Sequence, residues 1–386
     1  MEDDLTPQAM ARLIAQFAAL GTHRTGSDGD EATSRWLAAW LGERGIAATI
    51  EPLAFPEVRW RVAAVEVDGA RIAGTPLYDG GATPPEGIVA PLCAGGGDGI
   101  AVVADGAALD AMLAASPAAR PRAAIAVSGD PDGHVVLRNA ERIAAPHARP
   151  VLQVAARDAA PLRAAAAAGR TARLVVDRAV APGTASNVVA DLPVAGADGL
   201  VVLMTPKSGW FTCAAERGGG IAIALALAAR GAAMRARRRS LRVLFTTGHE
   251  LAHWGLRHHL EADPRLRDEA ALWVHLGASI GARATDATRL FSREHAWRAW
   301  FPDALARHGA DAVTLMDADR RPGGESREVF DRPFVSMAGH HRYFHSPQDV
   351  PEIAVDAARV ARFGAAFAEL MEVALGGSGL PPGPGR

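Results

Sequence analysis

Residues 241–260 read LRVLFTTGHELAHWGLRHHL, and the interpretation of this stretch decides the fold. Leu241 to Phe245 is an apolar run of strand length, Thr246, Thr247 and Gly248 form a turn, and a helix is expected from about residue 250. The strand therefore hands the pair His249–Glu250 to its own carboxyl end, where α/β sheets carry their sites. Ten of the thirteen histidines lie at or after position 249, so any imidazole chemistry belongs to the C-terminal half.

Outward from this segment the pattern repeats. Strand-like Ser186–Asp191, Leu200–Met204 and Ala271–Leu276 alternate with a long apolar helix, Gly218–Arg230, and a final helix over 355–375. Strands alternating with helices predict an α/β fold, a mostly parallel central sheet with helices on both faces. Residues 7–20 and 30–44 carry apolar residues at helical spacing, with Ser27 or Asp28 as the cap of the second helix, and Ile46–Leu53 alternates as a strand.

From 58 to 182 the texture changes to short β-like runs, among them Val62–Val67, Ala123–Val127 and Val151–Val154, broken by Gly/Pro turns and alanine-rich pieces. This predicts an inserted, smaller β-rich α/β domain. The expected division is 1–57 and 183–376 for the main domain, 58–182 for the insert, and a disordered tail, GSGLPPGPGR, at 377–386.

Composition excludes several functions. A formal charge of -2 argues against a nucleic-acid or anionic-membrane surface, and the basic run Arg235–Arg239 reads as a solvated helix end. Cys93 and Cys213 are too few for a disulfide framework. No apolar run approaches the roughly 18–20 residues of a membrane span, and MEDDLTPQAM lacks the basic and apolar regions of a signal peptide. The expectation is a cytoplasmic protein whose partner is a small molecule.

Two metal-site readings of the central segment are open. His249-Glu250-Leu251-Ala252-His253 fits H-E-x-x-H, in which two histidines one helical turn apart bind zinc and the glutamate activates water. Against it, the motif directly follows a strand and a turn instead of lying well inside a helix.

The second reading uses more of the chain. GHELAHWGLRHH resembles the G-E-E-x-G-x-x-G-S segment of the co-catalytic zinc aminopeptidase family, which includes glutamate carboxypeptidase and the single-zinc glutaminyl cyclases. GTHRTGSDG with its following helix resembles that family's R-x-x-G-S segment, TASNVVADLP its N-V-V-A strand, and HRYFHSPQD its closing Y-H-[TS]-x-x-D motif. The 58–182 module falls where many members insert a protease-associated domain. The matches run in the family's order over nearly the whole chain.

The resemblance implies a ligand set, and the departures from it bear on function. Where the family has H-x-D this chain has Thr205 and Lys207; Glu216 stands at the Asp that bridges two metals, and Gly277 at a later ligand Asp. Glu250 and His345 keep two ligand positions, while His249 replaces the general-base glutamate. The implied site is then one zinc ion on Glu216, Glu250 and His345, with His249 as proton acceptor, hydrolysing a peptide or an amino-acid-derived amide. Lys207 would stand in for the missing cation, and pairing of Glu216 with Lys207 or Arg217 is the competing expectation. Residues expected to line the substrate pocket are Thr205, Lys207, Trp210, His275, Glu325, Arg327 and His341. His253, His258 and His259 read as surface or interhelical residues, and Gly218–Gly220 as close helix–sheet packing. The replacements leave open the other class of function: a catalytically inactive pseudo-peptidase that binds no metal and keeps the fold as a binding module.

Overall fold

Leu200–Pro206, Ser240–Thr246 and Ala270–Leu276 are apolar strands that bury both faces. Successive side chains point to opposite sides, so Val201, Leu203, Val243, Phe245, Val274 and Leu276 enter one core. Their neighbours Val202, Met204, Leu244 and Trp273 enter a second core on the other face. Near-continuous apolar runs are what a sheet covered on both sides requires.

The computed structural model describes residues 4–376 apart from 95, 96, 117, 118, 120 and 311, and without the side chain of Asp286. The tail expected at 377–386 lies outside the described residues. The chain divides into two compact units: Met1–Leu53 with Thr184–Phe344 and Gln348–Arg386, and Ala54–Gly183 with His345–Pro347.

In the first unit the strand order is Val313–Leu315, Thr285–Ser292, Phe334–His341, Ala270–Leu276, Leu200–Pro206, Ser240–Thr246, then the end of Thr171–Leu192. The four strands from Phe334–His341 to Ser240–Thr246 are mutually parallel, and antiparallel strands flank them. The sheet is therefore mostly parallel, as the alternating pattern predicts. Register aligns Thr205 with Phe245, and His275 with both Met204 and Ser336. The carboxyl ends of four strands thus lie side by side.

Helices Pro7–Ala18, Gly218–Ala233 and Ala357–Leu375 bury Met10, Phe17, Ile221, Leu225, Phe363 and Phe367 in the first core. Glycine makes the closest approach of helix to sheet possible. A Cβ on Gly219 would stand 2.0 Å from the Ile280 carbonyl oxygen, and one on Gly220 would stand 2.7 Å from Thr205 Oγ1. Helix Asp28–Gly42 begins at Ser27, whose side chain accepts from the Asp30 N–H.

One expectation fails here. The helix after the central turn starts at Trp254, not near 250. Gly248, Ala252 and His253 all have positive φ (72°, 54° and 58°), so 248–253 is a compact turn. His249, Glu250 and His253 do not share a helix, and the H-E-x-x-H reading loses the geometry it needs.

The second unit has its own sheet. Strands Ile88–Cys93, Ile100–Val103, Ala123–Ser128 and Val151–Ala155 are parallel in that order, with antiparallel Thr75–Pro76 beside the last. Helix Ala160–Ala167 accounts for the alanine run: Leu162, Ala165 and Ala166 face the core, and Gly169 turns the chain at φ 61°. Among the described residues no helix is long and apolar enough to cross a membrane.

Candidate functional site

In the first unit, residues 207–209 and 247–250 follow directly from the neighbouring parallel strands Leu200–Pro206 and Ser240–Thr246. Glu250 is fully buried. Its Oε1 accepts from the Thr25 N–H and from Thr25 Oγ1, both at 2.7 Å, and its Oε2 accepts from Ser208 Oγ at 2.7 Å. The two hydroxyls accept in turn: Thr25 Oγ1 from the Gly248 N–H (3.0 Å), Ser208 Oγ from the His249 N–H (3.1 Å). The carboxylate therefore ties the 22–27 loop, the 206–209 loop and the 247–250 turn into one net.

Glu216 pairs with its chain neighbour. Arg217 Nη2 lies 2.5 Å from Glu216 Oε1, and Arg217 Nε donates to the Ser208 carbonyl at 2.8 Å. Asp349, last residue of the closing motif, accepts from the Ala215 N–H (2.7 Å) and the Glu216 N–H (3.0 Å). Lys207, equally buried, pairs with Asp30 Oδ1 and donates to the Asp30 carbonyl at 3.1 Å. Asp30 Oδ2 accepts from Thr247 Oγ1 at 2.8 Å and from the Gly26 N–H at 3.0 Å. Of the two partners expected for Glu216, the structure selects Arg217, and Lys207 goes instead to Asp30.

A second polar cluster lies on the 324–329 segment. Thr246 Oγ1 stands 2.7 Å from both oxygens of the buried Glu325, and His249 Nδ1 stands 3.6 Å from Glu325 Oε1. Burial pushes the Glu325 carboxyl up to about 7, with Glu328 and Glu250 adding to the rise while the Thr246 bonds and Arg217 oppose it. His275 Nδ1 meets Ser336 Oγ at 2.9 Å, and burial, then the charges of His253 and Arg217, push its imidazole down to about 3. His253 Nδ1 lies 3.1 Å from Glu328 Oε1, a bond that holds Glu328 down at about 2. His253 and His259 are buried, with His259 Nδ1 2.9 Å from Glu51 Oε2, while His258 is exposed.

The other expected pocket residues are placed as follows. Thr205 Oγ1 donates to the Leu276 carbonyl at 2.7 Å, which spends its hydroxyl on the sheet. Trp210 is buried. Arg327 is half-buried, with Nε 3.3 Å from Glu328 Oε1. His341 is buried, its Nδ1 2.9 Å from Ser279 Oγ and its Nε2 3.5 Å from Asp349 Oδ1. His345 belongs to the second unit, where it takes φ 59° and its Nδ1 donates to the Leu137 carbonyl at 2.8 Å.

Sequence reasoning missed Thr25, Asp30, Ser208 and Asp349. Thr25 and Asp349 lie inside motifs quoted above, so their positions were visible although their roles were not. Asp30 carried no signal beyond being an acid in a first helical turn.

The donors of the first unit do not fit zinc as they stand. Glu250 already accepts three hydrogen bonds, Glu216 is held by a guanidinium, the Thr205 hydroxyl faces a carbonyl, and Gly277 supplies no ligand. In the second unit Asp130, Asp132 and His134 are spaced for a metal ion. Asp130 Oδ1 there accepts from the Asp132 and His134 N–H groups, each at 2.9 Å.

No family model and no curated protein matches the chain. Solved structures do. The chain is similar to a zinc aminopeptidase from Bacillus subtilis, with TM-score 0.76 and 14% identity over 100% of this chain and 98% of that one. It is similar to a peptidase M28 precursor from Shewanella amazonensis, with TM-score 0.74 and 18% identity over 99% and 100%. An aminopeptidase from Aneurinibacillus gives TM-score 0.68 and 15% identity over 99% and 97%. The chain has the fold of the zinc aminopeptidases.

Proposed function

We propose that this chain is a pseudo-peptidase, a binding module that keeps the zinc-aminopeptidase fold and has replaced its metal chemistry with a closed polar net. The observation that carries this reading is Glu250, both of whose oxygens are satisfied by Thr25 and Ser208. A metal ion would have to displace those bonds and settle beside the Arg217 guanidinium already on Glu216. The ligand class suggested by the fold is a short peptide or an amino-acid-derived amide, bound and released unchanged.

A single-zinc hydrolase is the second reading, and one observation favours it. Nδ1 of His345 donates to a backbone carbonyl, which fixes its tautomer and puts the lone pair on Nε2, as in metal-binding imidazoles.

Metal analysis of untagged protein grown with ample zinc separates the two. The pseudo-peptidase reading expects zinc content unaltered by Glu250→Gln and no turnover of amino-acid amides. About one zinc per chain, lost on Glu250→Gln, establishes the hydrolase reading instead.

A further inference from the structure

Strand Ala270–Leu276 runs straight into Gly277-Ala278-Ser279-Ile280-Gly281, which fits G-x-S-x-G. That spacing marks a sharp turn at a strand end, where a serine in strained backbone presents its hydroxyl between glycines. Ser279 takes φ 63°, a left-handed conformation that favours glycine, and its N–H donates to the Glu216 carbonyl at 3.0 Å. No helix follows; Ala282 bridges to Val355 instead, so the likeness is to the turn alone.

Ser279 Oγ stands 2.9 Å from Nδ1 of His341, the last residue of the neighbouring parallel strand Phe334–His341. Across the ring, His341 Nε2 stands 3.5 Å from Asp349 Oδ1, long for a hydrogen bond. The N–H groups of Ala215 and Glu216 hold that carboxylate in place. A carboxylate facing Nε2 draws the imidazole proton there and leaves the Nδ1 lone pair to accept from the Ser279 hydroxyl. Hydroxyl, imidazole and carboxylate thus follow one another within the first unit, all three buried. His275 meets Ser336 at the same 2.9 Å, but its Nε2 has no partner among the described residues and Ser336 lies within a regular strand.

We propose that Ser279, His341 and Asp349 form a metal-independent acyl-transfer site that hydrolyses small carboxylic esters. The site uses none of the groups that bond Glu250, and it goes beyond the pseudo-peptidase reading. Ser279 Oγ attacks the ester carbonyl carbon while its proton passes to His341 Nδ1. The ester C–O bond then breaks, and His341 returns the proton to the leaving alkoxide. Water attacks the acyl-serine through the same imidazole, which releases the carboxylic acid and restores the hydroxyl. Asp349 is a positioning residue that fixes the ring and offsets the charge of the imidazolium. Burial sets the substrate class: Oγ is reached only as the 277–281 turn moves, which suits an acetyl-sized acyl group and not a peptide.

A small fluorophosphonate and p-nitrophenyl acetate are the probes, read by peptide mass spectrometry and by p-nitrophenolate release. The unmodified protein is expected to gain a phosphonyl group on Ser279, with loss of fluoride, and to release p-nitrophenolate at a rate that chelators leave unchanged. Ser279→Ala is expected to lose both. His341→Gln keeps a hydrogen-bonding side chain and should slow labelling about a hundredfold or more. No adduct, an adduct on another residue, or release that survives Ser279→Ala overturns the inference. If Ser279→Ala does not fold, the position of the adduct on the unmodified protein decides alone. Zinc held through Glu250 would overturn the pseudo-peptidase reading and leave these outcomes untouched, so the two readings fail separately.

Discussion

Replacing Lys207 by methionine tests whether the site is held by internal charge. The ammonium and the Asp30 carboxylate are both buried, and the pair joins the loop after one strand to the first turn of helix Asp28–Gly42. Methionine keeps most of the side-chain volume, so little cavity cost is added. What remains is a carboxylate with two donors, Thr247 Oγ1 at 2.8 Å and the Gly26 N–H at 3.0 Å, and no cation. Breaking a buried pair from one side costs about 3–5 kcal/mol. Asp30→Asn is expected to cost a similar amount, because it leaves the ammonium with the Asp30 carbonyl at 3.1 Å as its remaining partner. The double variant should cost little more than either single one, giving a coupling of about 2 kcal/mol or more. Seven of the eight tryptophans lie in the first unit and only Trp60 lies in the second. Tryptophan fluorescence in urea therefore follows the unit that carries the pair. A loss below about 1 kcal/mol for Lys207→Met with an unchanged m-value, or additive single variants, would refute the reasoning.

Gly219→Ala should reverse the usual helix preference: alanine gains about 1 kcal/mol in an open helix, but here its Cβ meets a backbone oxygen at 2.0 Å, and a net loss of about 1–3 kcal/mol is expected. Gly231→Ala in the same helix meets the flexible Leu241 Cδ2 at 2.8 Å and should cost less, in the same urea assay. Asp349→Ala strands the N–H groups of Ala215 and Glu216 and should cost about 2–4 kcal/mol by tryptophan fluorescence. Glu325 makes stability pH-dependent: its folded value of about 7 lies above the ordinary 4.5, so its contribution is complete below 4.5 and is lost as pH rises through 7, by about 3 kcal/mol. Glu325→Gln should remove that slope from the urea midpoint; parallel profiles for both proteins between pH 4.5 and 7 would count against it. The opposite slope of His275, which loses stability as pH falls from 6.5 towards 3, should persist in that variant.

The fold was legible because its strands and helices announce themselves through burial. Leu241–Phe245 became Ser240–Thr246, and Gly218–Arg230 became Gly218–Ala233, with errors confined to the ends. The turn at 248–253 was not legible. Local preference in ELAH favours a helix, and distant atoms override it: Thr25 Oγ1 takes the Gly248 N–H, and Asn187 Oδ1 takes the Thr247 N–H at 3.0 Å. The site shows the same division. Glu216 and Arg217 are adjacent in the chain, and their pairing was one of two expected. Lys207 and Asp30 are 177 residues apart, and neither periodicity nor motif joins them.

The buried carboxylates have a structural role that owes nothing to catalysis. Glu250 satisfies the Thr25 N–H and two hydroxyls, and those hydroxyls satisfy the N–H groups of Gly248 and His249. Glutamine keeps one carbonyl oxygen and presents an NH₂ to groups that now donate, so at least one buried donor loses its acceptor, at about 1–3 kcal/mol. Glu250→Gln would therefore weaken any function of this chain, catalytic or binding, with or without a metal. Lost function in that variant alone cannot distinguish a ligand from a structural tie. The distinction has to come from metal content, and from variants of the opposite charge. Arg217→Gln removes a cation that a metal site would have no use for. A zinc hydrolase should retain or gain activity on losing it, whereas a net built around internal charge should be weakened.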